Sequence, residues 1–375
     1  MSVKKRNMTF NCLQALLILM VIDDHVSSRI GLLTSIFPYD SFFMPFFVFI
    51  SGYFYKNRGV FQNLLHKMKT ILLPFIIWNL IGSVIAFVLH HLDIVHWYWE
   101  LNVTTVARVF YATGSLTTLT RPGWFALNLF YITIIYCFFK NCLIWLNPKS
   151  ADFILLLLFC GAGMGSLWMC INHYPSNEIL VAAYRVVFYL QFYHMGHMFA
   201  RYWEKAITHF RGFIVCGICI AVNVALICVS DKSICFYESY YMKKFNSWYL
   251  PVVTSITGGL FWYEIMSYAA PLLSEGGRRN VFNIIGENTF TIMMTHLFFI
   301  NIPNFFSYAQ KLKGNPSFAD FDIAAFQNSA WYRYGPKAEL VGFFCGLIGS
   351  LAIVYGLNWM KYIFKTEKAT YRKRI

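Results

Sequence analysis

The chain alternates between long apolar stretches and polar intervals, and the apolar stretches are too long for soluble helices. Ten spans are predicted, at 9–29, 41–55, 71–90, 124–145, 152–171, 179–200, 212–229, 250–270, 283–302 and 339–363. Runs such as Ile71 to Leu89 and Gly212 to Val229 approach the roughly 20 residues needed to cross a hydrocarbon core about 30 Å thick. The expected fold is all-α, a polytopic integral membrane helical bundle, with residues 1–375 forming one transmembrane domain. Cations concentrate on alternate intervals: Lys4, Lys5 and Arg6; Lys56, Arg58, Lys67 and Lys69; Lys140 and Lys149; Arg201, Lys205 and Arg211; Arg278 and Arg279; and the tail from Lys361 to Arg374. Lys and Arg are retained on the cytoplasmic side, so both termini are expected there. The other intervals are longer and aromatic, with Trp97, Tyr98, Trp99, Trp248, Tyr249, Trp331, Tyr332 and Tyr334. They read as an interfacial belt or as platforms for stacking sugar rings.

Composition supports the membrane reading. Of 375 residues, 58% are hydrophobic and only 13% charged, against about 25% charged in soluble domains. Mean hydropathy is +0.51. The formal charge of +14 therefore speaks of topology and lipid phosphate rather than of nucleic acid. The ten Cys lie mostly inside apolar runs and imply no disulfide framework. Lys4, Lys5 and Arg6 ahead of an apolar run imitate a signal peptide; with nothing resembling a soluble mature protein after it, the run is read as a retained first span.

Ionisable groups within spans are costly and mark function. The first span carries Asn11, Gln14, Asp23, Asp24 and His25. At about 100° per residue, Gln14 and His25 lie about 20° from eclipsed, so Asn11, Gln14, Ile18 and His25 are expected on one polar face. Asp23 lies about 200° from His25 and points away. Either the acid pair simply ends a short span at the interface, or His25 is a general base assisted by a carboxylate, Asp24 before Asp23. Arg185 and His296 also fall within spans, and His194 and His197 sit three apart, as structural histidines or as two ligands lacking a third. No metal is expected. His66, Lys67 and Lys69 form a basic stretch that either touches anionic lipid or holds a phosphorylated cofactor. There is no P-loop, no Gly-x-Ser-x-Gly and no His-Glu-x-x-His. No inverted repeat stands out, which weighs against a transporter or flippase for glycan or lipid, the alternative use of the same intramembrane polar groups.

Five segments, in order, resemble the membrane-bound acyltransferase-3 family, close to its fucose 4-O-acetylase-like branch. His25 fills the position of the family's first-span His, and Asn11 stands where Asp is usual. Phe43-Met-Pro-Phe-Phe-Val-Phe-Ile-Ser-Gly-Tyr53 resembles the second-span signature. The stretch from Lys67 to Trp78 resembles a basic segment running into Leu-Leu-x-Pro. Trp124 and Phe125 resemble a Trp-Phe-Leu element, and Ile285 to His296 a late element ending in His. The family's Arg position is Gln14 here, which supplies hydrogen bonds without charge. Arg121 or Arg185 would have to replace that charge in space.

The resemblance implies an O-acyltransferase moving an acyl group, usually acetyl from acetyl-CoA, to a hydroxyl of a surface glycan or lipid-linked sugar in the cell envelope. It places the protein in the bacterial inner membrane as a multi-pass enzyme of polysaccharide modification, with a homo-oligomer left open. His25 would be the base with Asp24 beside it, and Asn11, Gln14, Arg185 and His296 would form the supporting polar face. Arg58, Lys67, Lys69, Arg278 and Arg279 would hold the donor, and Trp124 and Arg121 would face the acceptor.

Overall fold

A computed structural model describes residues 8–26, 30–146, 150–204, 212–230, 238–245, 247–274, 281–335 and 337–372. It bears out the all-α membrane bundle: the described residues form helices and no named strand. The long helices are α1 (Met8–Asp24), α2 (Tyr39–Tyr53), α3 (Val60–Lys67) and α4 (Leu73–His91). After a short α5 (Val103–Arg108) come α6 (Gly123–Leu146), α7 (Ala151–Asn172), α8 (Glu178–Met198), α9 (Gly212–Ser230) and α10 (Leu250–Ser274). The chain closes with α11 (Val281–Glu287), α12 (Thr289–Ile300), α13 (Ile302–Leu312), a short α14 (Ile323–Asn328) and α15 (Ala338–Arg372). Among the described residues, five helical stretches are long and apolar enough to cross a membrane: Val60–His91, Gly123–Leu146, Ala151–Asn172, Gly212–Ser230 and Ala338–Ile363.

The helices fall into two kinds. α1 is apolar nearly all round and buries most of its residues, from Phe10 to Asp23, as expected of a central helix. It packs on α2, α10, α11, α12 and α15. In α9, by contrast, only Gly212, Cys219 and Asn223 are buried, so its apolar side chains face outward, as they would toward lipid. α2 crosses α8 closely because Gly52 lies against the Tyr193 carbonyl and Gly196 against the Phe49 carbonyl. A Cβ at either position would meet backbone, so the crossing requires both glycines.

Several predicted spans have different ends. The first stops at Asp24 rather than at 29, because the buried Asp23 carboxylate accepts the N–H groups of Ile30 (3.0 Å) and Gly31 (3.1 Å) and turns the chain back. The third begins earlier than 71: α3 continues through a π turn, Met68–Leu72, into α4. Pro74, which cannot donate to a helical carbonyl, lies in the first turn after that bulge. The ninth is broken into α11 and α12 at Asn288, whose side chain bonds the Ile284 carbonyl and competes with the helix. Beyond α12, residues of α13 to α14 and the 92–102 segment form a separate cap. Its core is Ala86, Val95, Trp97, Leu119, Phe321, Phe326 and Ala330.

Candidate active site at the end of the first helix

A cavity of about 550 Å³ runs along α1. Gln14, Ile18, Val21, Asp24 and His25 line it in sequence. At 1.5 Å per residue, Gln14 and His25 are about 16 Å apart along the helix. Ser51 and Thr289 come from the helix ends that neighbour the start of α1, and Ile71 from the π turn after α3; Asp40, Arg121, Tyr240, Tyr241 and Trp331 cluster at the His25 end. Phe43, Phe47, Trp124, Phe125 and Met293 form the apolar walls between them.

The cavity brings together five of the residues singled out in the sequence: Gln14, Asp24, His25, Arg121 and Trp124. Asn11 does not join them. Its Nδ2 donates to Asn283 Oδ1 (2.9 Å), and its carbonyl lies against Gly286. It ties α1 to α11, because a residue three places before Gln14 sits about 60° round the helix.

His25 lies one residue past the end of α1, yet its N–H still reaches the Val21 carbonyl at 3.2 Å, so the helical phase carries through. Its ring stacks on His296, with centroids 5.2 Å apart and planes 12° apart. Trp331 packs against it at 5.4 Å. His296 is fully buried; its Nδ1 donates to the Ile292 carbonyl at 2.9 Å, which fixes its tautomer. No described carboxylate ion-pairs with His25; Asp24 instead shares a hydrogen bond with Asp40. His25 thus lines the cavity with its ring held by stacking.

Arg185, on α8, is buried. It stacks between Trp124 (4.9 Å) and Tyr240 (5.3 Å) and donates to the Tyr240 carbonyl at 2.7 Å. It therefore backs the cavity wall without lining it. Arg333 is pinned through Nη1 to Asn301 and to the carbonyls of Ala330 and Tyr332, beside Trp331. Burial pushes its guanidinium down to about 10, with Glu339 acting the other way.

The basic residues near the other end are Arg58, Lys67 and Lys69. Lys67 is four residues before Ile71, which lines the cavity, and the charges of Arg58, Lys67 and Lys56 act together on His66. Arg278 and Arg279 lie outside the described residues. Among the described residues no group of three metal-ligating side chains occurs. Of the pair His194 and His197, His194 has both ring nitrogens engaged, Nδ1 with the Tyr136 hydroxyl (3.1 Å) and Nε2 with the Asp152 carbonyl (2.8 Å), while His197 Nε2 lies 3.9 Å from the Asp152 carboxylate.

Sequence reasoning missed Asp40, Glu238, Tyr240 and Tyr241 as site residues, and read Trp331 only as belt or platform. Asp40 carried a signal, an acid at the start of an apolar span. The 238–241 segment carried none, since its place depends on the packing of α8 and α10.

The described residues thus form an all-helical bundle with a cavity that runs along α1 to His25. A family model described as an acyltransferase domain matches residues 9–359, and the chain belongs to that acyltransferase-3 family: it is a membrane acyltransferase. No curated protein and no solved structure matches the chain.

Proposed function

We propose that this acyltransferase moves an acyl group, acetyl first among them, from acyl-CoA to a hydroxyl of a surface glycan or lipid-linked sugar, with His25 as the general base. The observation that carries this reading is the cavity itself, which runs along one face of α1 to His25 and is lined also by Ile71, four residues after Lys67.

With the N-terminus on the cytoplasmic side, Arg58, Lys67 and Lys69 would meet the phosphates of the donor. A length of about 16 Å between Gln14 and His25 suits the thin, flexible arm that carries a thioester. The acceptor would enter from the opposite side, where Trp331, Tyr240 and Trp124 offer flat faces. His25 takes the acceptor hydroxyl's proton as its oxygen attacks the thioester carbonyl carbon. The C–S bond then breaks, the proton passes from His25 to the leaving sulfur, and ester and thiol are released. Positioned proton transfer of this kind is worth about 10²–10⁴-fold. Asp24, bonded to Asp40, would act on His25 through the field of that pair rather than by a direct bond, with Gln14, Arg185 and His296 in support. The setting is the bacterial plasma membrane.

Mass spectrometry of host surface glycans with and without the protein tests the reading. Loss of one acetyl mass per modified sugar on deletion, restored by wild type and not by His25→Ala, is expected. Unchanged glycans together with unchanged lipid-linked sugars would refute it.

A further inference from the structure

The reaction just proposed creates a negative oxygen on the thioester carbonyl carbon, and that charge needs a donor within reach of His25. The cavity wall limits the choice. Gln14 is about 16 Å down the helix, and Ser51 and Thr289 lie with it near the far end. At the His25 end the lining donors are Arg121, Ser239, Tyr240, Tyr241 and Trp331, of which Arg121 alone carries a charge.

The acids lining the same end are engaged with other partners. Glu238 pairs with Lys244, and Asp40 shares a hydrogen bond with Asp24. No described carboxylate lies within ion-pair distance of Arg121. Its guanidinium is held instead by aromatic faces, 4.9 Å over Tyr240 and 5.5 Å over Tyr241. Its Nη2 donates to the Tyr241 hydroxyl. Arg185 stacks on the same Tyr240 ring, between it and Trp124, so the platform beneath Arg121 is itself fixed. Aromatic faces orient a cation without neutralising it. A guanidinium has five N–H groups, so one bond to Tyr241 leaves donors for a ligand. Arg121 lines the same cavity as His25.

We infer that Arg121 is the oxyanion donor of this acyltransferase: an N–H of its guanidinium receives the thioester carbonyl oxygen as negative charge gathers there, while His25 takes the acceptor's proton. The inference rests on the proposed role of His25. No proton leaves Arg121, and the hydrogen bond weakens again when the C–S bond breaks. The Tyr240–Tyr241 platform, with Arg185 and Trp124 behind it, holds the guanidinium in place before substrate arrives, which is what makes such a donor effective.

The test measures acetyl transfer from acetyl-CoA to a sugar acceptor by purified wild type, Arg121→Gln, Arg121→Lys and His25→Ala, with thermal unfolding of each in detergent. Arg121→Gln is expected to lower kcat about 10²–10³-fold, the usual cost of losing one oxyanion donor. The KM values should change little and the unfolding temperature should be unaltered. Arg121→Lys keeps a charged donor and should recover part of the loss, and free guanidinium should stimulate Arg121→Gln but not wild type. A rise in acceptor KM at unchanged kcat would overturn the inference by making Arg121 a binding residue. A loss of kcat that tracks a lower unfolding temperature in both variants, with no recovery by Lys or guanidinium, would overturn it by making the role structural. If Arg121→Gln is fully active while His25→Ala is dead, only the inference fails. If His25→Ala keeps wild-type transfer, the underlying reading fails with it.

Discussion

Two clusters of ionisable side chains among the described residues are built in opposite ways. Between α6, α7 and α8, Asp152 ion-pairs with Lys140 and, at 2.9 Å, with Arg201; its other contacts are the Tyr202 hydroxyl (2.9 Å) and His197 at 3.9 Å. Both nitrogens of His194 are engaged there. At the end of α1, His25 is held by stacking on His296 and Trp331, and Arg121 by aromatic faces; both line a cavity. Both histidines are equally conspicuous inside apolar runs. What separates structure from chemistry is whether the polar atoms already have partners.

The comparison breaks most sharply on the two histidines. His25→Ala is expected to lower kcat for acetyl transfer by about 10²–10⁴-fold, whereas His194→Ala should leave kcat per folded molecule close to wild type. Steady-state transfer by purified variants checks both halves. Equal losses would erase the distinction.

Asp152→Ala probes the other side. Lys140 is 3% exposed, and removing its partner leaves a buried charge at a cost of about 3–5 kcal/mol. Thermal unfolding in detergent should show a large destabilisation, while the folded fraction retains its transfer rate. A stable, inactive Asp152→Ala would instead draw that cluster into the chemistry.

Trp331 has a smaller part. Losing its packing on His25 forfeits about 0.5–1.5 kcal/mol, so Trp331→Ala should cost about two- to tenfold in kcat/KM for the acceptor with donor KM unchanged. A change in donor KM alone would move Trp331 to the other substrate. Of similar size, Lys67→Gln alone should raise the acyl-CoA KM about fivefold, at about 1 kcal/mol per cation near a charged surface. That penalty should shrink as salt screens the phosphates; a penalty independent of salt would contradict a phosphate role.

Much of this contrast was legible along the chain, and the limits are physical. Periodicity within one helix is local, so the face joining Gln14 to His25 could be drawn from α1 alone. The same reasoning overreached with Asn11, since an angular offset of about 60° is enough to turn a side chain from the cavity to a neighbouring helix. Span ends were misjudged where a side chain overrules hydropathy, as Asp23 does by capturing Ile30 and Gly31 and Asn288 by bonding the Ile284 carbonyl. The meeting of Arg121 with Tyr240 and Tyr241, and of His25 with Trp331 and His296, joins residues more than a hundred positions apart. No local pattern encodes such contacts; they follow from the close α2–α8 crossing and from α1 standing at the centre of the bundle.

The most direct measurement is transfer of radiolabelled acetyl from acetyl-CoA to a hydroxyl-bearing sugar by the purified protein in lipid vesicles, comparing wild type, His25→Ala and His194→Ala. The account predicts label on the sugar with wild type and with folded His194→Ala, and none above background with His25→Ala. Full transfer by His25→Ala would contradict it.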